Sequence, residues 1–103
     1  MALIYIVEDD ESIGMLIRAA LNAAAHETRL MVNAAELEKA IEEEIPALLL
    51  LDIMLPGKDG WTVLAEWKAR RRTADVPVVI LSAKSEELDK VRGLESGAED
   101  YIT

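Results

Sequence analysis

Cysteine and phenylalanine are absent from this chain of 103 residues, and histidine occurs once. Without cysteine there is no disulfide framework, no thiol catalysis and no Cys-ligated zinc, and a single histidine removes most other zinc sites. Aromatic residues make up only 4%, so an aliphatic core is expected. Positive charge is scarce: 11 Lys and Arg face 20 Asp and Glu, for a formal net charge of −9 and a pI near 4.5. That balance argues against direct nucleic-acid binding or attachment to an anionic membrane. No apolar run approaches the roughly 18–20 residues of a membrane helix. The apolar start, Met1 to Val7, lacks a basic flank and a small-residue cleavage site, so it does not read as a signal peptide. A soluble, cytoplasmic domain is expected. What remains is 51% hydrophobic and 30% charged, a globular balance, and the length suits one domain spanning 1–103.

Short apolar runs alternate with segments of helical period. Leu3 to Val7 is continuous and rich in β-branched residues, as in a strand buried on both faces. From Glu11, the residues Ile13, Leu16, Ile17, Ala20, Leu21 and Ala24 fall on one helical stripe, and Met15 and Met31 read as core filler. Thr28 to Val32 is a second strand. Asn33 to Glu36 resembles a capping box ahead of Leu37, Ala40 and Ile41, and Pro46 stops that helix. Ala47 to Leu51 is a third strand ending on Asp52. The turn residues of 54–60 follow, and then a helix with Gly60, Val63, Leu64 and Trp67 on its inner face. The polar residues Lys68 to Arg72 read as a solvated helix end, and His26 as a solvated loop residue. Val76 to Leu81 is a fourth strand. Ser85 can cap a helix that Gly97 ends, and Glu99 to Thr103 is a fifth strand.

The pattern βαβαβαβαβ implies an α/β fold: an open, doubly wound parallel sheet of five strands with helices on both faces. In such sheets a ligand site lies beyond the carboxyl ends of the strands, where the strand order reverses. Three strand ends carry the informative side chains. The first delivers Glu8 and Asp9, the third Asp52 and the fourth Ser82. Taken singly, each has a plain explanation as a helix-dipole acid, a turn aspartate or a loop serine. Taken together they place three carboxylates in one small pocket, where like charges need a counter-charge. Mg²⁺ suits a site of a few carboxylates with positions left for water and phosphate oxygens. A carboxylate beside it can attack phosphorus.

Ile6-Val-Glu-Asp-Asp-Glu11, Leu50-Leu-Asp-Ile-Met-Leu-Pro-Gly-Lys-Asp-Gly60, Val78-Val-Ile-Leu-Ser-Ala-Lys84 and Gly97-Ala-Glu-Asp-Tyr-Ile-Thr103 resemble the receiver domain of two-component response regulators. The resemblance covers the whole chain and implies a flavodoxin-like sheet of order 2-1-3-4-5. It implies that Asp52 accepts a phosphoryl group from a sensor histidine kinase. It further implies that Glu8, Asp9, Asp52 and the Met54 backbone carbonyl hold Mg²⁺. Ser82 would contact a phosphoryl oxygen, Ala83 would keep access to Asp52 open, and Tyr101 would be the aromatic switch residue. The expected output is control of an effector, a DNA-binding domain in many relatives.

One departure accompanies the resemblance. Such domains continue after the position of Thr103 with Lys-Pro and a fifth helix. The expectation is thus a receiver shortened before that lysine and helix, with weaker phosphoryl stabilisation and an uncovered apolar patch that favours a homodimer. The runner-up reading is an interaction module of the same fold that self-associates and no longer signals efficiently. A phosphatase of the haloacid-dehalogenase type would need a second Asp two residues after Asp52, where Met54 stands.

Overall fold

The computed structural model describes residues 2–53, 55, 57–81 and the backbone of 100–102. Its elements are β1 (Leu3–Val7), α1 (Glu11–Ala23), β2 (Glu27–Met31), α2 (Ala34–Glu43), β3 (Leu48–Asp52), α3 (Gly60–Ala69), β4 (Val78–Leu81) and β5 (Asp100–Ile102). The five strands form one sheet in the order β2-β1-β3-β4-β5, with every neighbouring pair parallel. The order reverses between β1 and β3. The helix expected after Ser85 lies outside the described residues.

Alternation along the strands divides the core between two faces. Tyr5, Val7, Leu49, Leu51, Val78 and Ile80 pack with Leu37, Ala40 and Ile41 of α2 and with Val63, Leu64 and Trp67 of α3. Ile4, Ile6, Leu50 and Leu81 face the other way, against Ile17 and Leu21 of α1. The first face is not purely aliphatic, contrary to expectation: Tyr5 and Trp67 are among its largest fully buried side chains. Each satisfies its polar atom, as a buried Tyr or Trp must. The Tyr5 hydroxyl donates to the Ala40 carbonyl at 3.1 Å, and Trp67 Nε1 donates to the Val76 carbonyl at 3.1 Å.

The stripe expected on α1 is only partly the buried one. Ile17 and Leu21 face the sheet, but Ile13, Met15 and Leu16 are 45%, 55% and 73% exposed, so Met15 is not core filler. Met31 is buried as expected. The reason is Gly14, the one buried residue of α1, where an added Cβ would come to 2.8 Å from Leu30 Cδ1. The helix sits on the sheet through Gly14, Ile17 and Leu21, and a hydrophobic-period reading cannot see a glycine contact. Ile13, Leu16 and Ala20 are turned roughly 100° away at 3.6 residues per turn.

Other differences are local. β2 is Glu27–Met31 rather than 28–32, and β3 is shifted by one residue to Leu48–Asp52. β4 starts at Val78 because the Val76 N–H is spent on the Thr73 carbonyl in a turn. β5 is Asp100–Ile102, within the expected span, and Glu99 and Thr103 lie outside the described residues. His26 is half-buried, and its Nδ1 accepts from the Ala2 N–H at 3.2 Å, tying β2 to the start of the chain. The segment after Lys68 also reaches inward: Arg70 pairs with Glu38 of α2 at 2.7 Å, and Arg72 donates to the Ile41 carbonyl. Asn33 caps α2 as expected, accepting from the Glu36 N–H, while Glu36 Oε1 accepts from the Val32 N–H.

Candidate functional site

Register brings the acids together. Val7 of β1 lies opposite Leu51 of β3, so the next residues, Glu8 and Asp52, emerge level with one another. Asp52 lies in turn opposite Leu81, the end of β4. Glu8 extends the β1 ladder by one bond, its N–H donating to the Met31 carbonyl at 2.9 Å. Both Glu8 and Asp52 are buried, and Asp9 is exposed at the mouth. Carboxylate oxygens of the three lie within 4.8 Å of one another. Asp10 is excluded from this group by its other task, since its side chain caps α1 through the Ser12 and Ile13 N–H groups.

Crowding shows in the protonation of Glu8. Burial, then the charge of Asp52, pushes its pKa from the ordinary 4.5 up to about 7. A hydrogen bond to Asp52 and the charge of Asp9 raise it further, while the Asp10 N–H, donating to Oε1 at 3.3 Å, works the other way. With a pKa of about 7, Glu8 is only partly ionised at neutral pH, which lessens the negative charge crowded at the strand ends.

This donor set fits a divalent metal ion of the hard class. Its three residues offer carboxylate oxygens, two of the three are buried, and their crowding raises the Glu8 pKa. Glu8, Asp9 and Asp52 are the described residues able to hold the ion. Met54, Ser82 and Ala83 lie outside the described residues. The backbone of Tyr101 is placed in β5 opposite Ile80, and its side chain lies outside what is described. The elevated proton affinity of Glu8 was not legible from spacing, because it depends on how deeply two strand ends are buried together.

Three comparisons place this geometry among known proteins. The model of the response regulator receiver domain family matches residues 4–103. The chain is 42% identical over 99 residues to the transcriptional regulatory protein BaeR of Escherichia coli O6:H1, covering 96% of this chain and 40% of BaeR. Its fold is similar to the BeF3-activated N-terminal receiver domain of Klebsiella pneumoniae RstA, with a TM-score of 0.89, 37% identity, and coverage of 97% of this chain and 83% of that one. It is also similar to the Mn²⁺-bound form of response regulator Rcp1, with a TM-score of 0.88, 28% identity, and coverage of 100% and 81%. The chain spans about two fifths of the length of the curated relatives it matches.

Proposed function

The chain belongs to the response regulator receiver domain family, and from that premise we propose that it is a phosphoacceptor in which Asp52 takes the phosphoryl group of a sensor histidine kinase. The observation that carries this reading is the burial of Asp52 at the end of β3, with carboxylate oxygens of Glu8 and Asp9 within 4.8 Å. In the transfer, an Asp52 carboxylate oxygen forms a bond to phosphorus as the phosphorus–nitrogen bond of the donor phosphohistidine breaks. The leaving imidazole nitrogen recovers its electron pair and takes up a proton. Mg²⁺, held by Glu8, Asp9 and Asp52, would supply neutralising charge for the phosphoryl oxygens. The chain's own part is alignment: β3 holds Asp52 at the strand end, with the Glu8 and Asp9 carboxylates beside it.

Ser82, the Met54 carbonyl and Tyr101 keep the roles that the family resemblance implies, as phosphoryl contact, metal ligand and switch. The domain is not a turnover enzyme in this reading but assists its own phosphorylation and dephosphorylation, and its output is control of transcription by an effector domain. BaeR, by its name a transcriptional regulatory protein, supports that output. The Mn²⁺-bound form of Rcp1 supports a divalent ion in this fold.

Acetyl phosphate with Mg²⁺ is expected to add one phosphoryl mass to the protein and none to Asp52→Ala, read by intact mass spectrometry. Equal labelling of the two proteins would refute the assignment of Asp52. The exposed Ile13, Met15 and Leu16 favour a second reading, self-association through α1. A sedimentation coefficient independent of concentration would remove it.

A further inference from the structure

Asp52 ends β3, and the chain turns at once into a loop that returns at Gly60, the first residue of α3. The loop is closed at its neck by the Gly60 N–H donating to the Ile53 carbonyl at 3.0 Å. Leu55 anchors it in the core, and Lys58 Nζ pairs with Glu66 of α3 at 2.9 Å. The neck has no room for a side chain. A Cβ on Gly60 would fall inside contact distance of Ile53 Cα, and would come to 2.6 Å from the Asp52 carbonyl oxygen and 3.0 Å from Ile53 Cγ2. The first two are backbone atoms at the end of a central strand, which cannot swing aside as a side-chain tip can. Gly60 sits in the first turn of a helix, where alanine is the better former. Space, not dihedral freedom, demands glycine here.

We propose that Gly60 is a positioning residue for Asp52: its bare Cα lets α3 seat against the 52–53 peptide, and that contact sets the direction in which the Asp52 carboxylate leaves the strand. The proposal rests on the reading of Asp52 as phosphoacceptor. A side chain at position 60 displaces the peptide that carries Asp52 and turns its carboxylate relative to Glu8 and Asp9. Misplacement of a reacting group by about 1 Å can cost on the order of 100-fold in rate.

The test compares wild type with Gly60→Ala and Gly14→Ala. Gly14 is also a close-contact glycine, but its added Cβ would meet the flexible tip of Leu30, on α1's side of the sheet. Gly60→Ala is expected to keep a wild-type far-UV circular dichroism spectrum. It is expected to bind Mg²⁺ at least tenfold more weakly by calorimetry, and to be labelled by acetyl phosphate at least tenfold more slowly. Gly14→Ala is expected to shift the melting temperature and hold both quantities within twofold. Wild-type affinity and labelling in Gly60→Ala overturn the proposal. So does an equal loss in Gly14→Ala, which would report general loosening.

A measurement on wild type stands whether or not Gly60→Ala folds. Coupling is reciprocal, so Mg²⁺ that requires a placed Asp52 must hold the neck closed. Saturating Mg²⁺ is expected to slow hydrogen exchange of the Gly60 N–H several-fold more than that of the Ala24 N–H at the end of α1. Equal effects on the two amides overturn the proposal. Wild type that binds Mg²⁺ but takes no label refutes the phosphoacceptor reading and leaves Gly60 to be judged by the metal and exchange arms; wild type that binds no Mg²⁺ overturns both.

Discussion

Glu8 carries the clearest cost of the site. Its pKa stands at about 7 against an ordinary 4.5, so the folded protein binds this proton more tightly than the unfolded chain does. That contribution to stability is fully present below about 4.5 and is lost as pH rises through about 7. Asp52→Asn removes the principal charge acting on Glu8. In a chelator at pH 8 the variant is expected to be more stable than wild type by roughly 1–2 kcal/mol, with the gap closing near pH 4.5. Identical melting temperatures at pH 8 would show that the acids do not repel. The same proton competes with a cation, so Mg²⁺ affinity should rise as pH rises through about 7 and flatten above it. Calorimetry at pH 6, 7 and 8 checks this, and a pH-independent affinity contradicts it.

At the scale of the elements, α1 shows both a sound ending and a strained one. Its last turn closes with the His26 N–H donating to the Leu21 carbonyl at 3.1 Å and the Ala25 N–H to the Asn22 carbonyl at 3.0 Å. That pattern requires a left-handed residue between helix and strand, and Ala25 supplies it at φ 67°. An L-residue with a Cβ pays about 1–2 kcal/mol in that conformation, whereas glycine pays about 0.5–1 kcal/mol in lost chain freedom. Ala25→Gly is therefore expected to stabilise the protein by about 0.5–1 kcal/mol, a rise of a few degrees in thermal melting. A lower melting temperature would show that Ala25 is relieved by contacts elsewhere. The capping of α2 by Asn33 needed no such correction, because a cap is local and its residues lie next to the helix they serve.

At the scale of the whole molecule, charge and layering matter most. A net charge of −9 on 103 residues works against compaction through self-repulsion. Potassium chloride screens that repulsion, with a Debye length near 10 Å at 0.1 M. The melting temperature should rise by a few degrees between about 0.02 and 0.5 M salt. A flat or falling curve would show that ion pairs such as Arg29–Glu43, Lys58–Glu66 and Arg70–Glu38 outweigh the excess acid. Among the described residues the two faces of the sheet are unequally packed. α2 and α3 cover one with a large cluster that includes Trp67, and α1 covers part of the other through a smaller one.

Sequence alone determined the parallel sheet, because a strand buried on both faces must be apolar without interruption, as Leu3–Val7 and Leu48–Leu51 are. It also determined where to look for chemistry, since Glu8 and Asp52 stand where apolar runs stop. Tertiary structure decided what no linear pattern encodes. The buried face of α1 was set by Gly14, a residue with no hydrophobic signal, and the carbonyls that satisfy the buried Tyr5 hydroxyl and Trp67 Nε1 come from α2 and from the segment before β4. The proton on Glu8 and the bare contact at Gly60 arise only when β1, β3 and α3 converge, because burial and close approach are properties of neighbours in space.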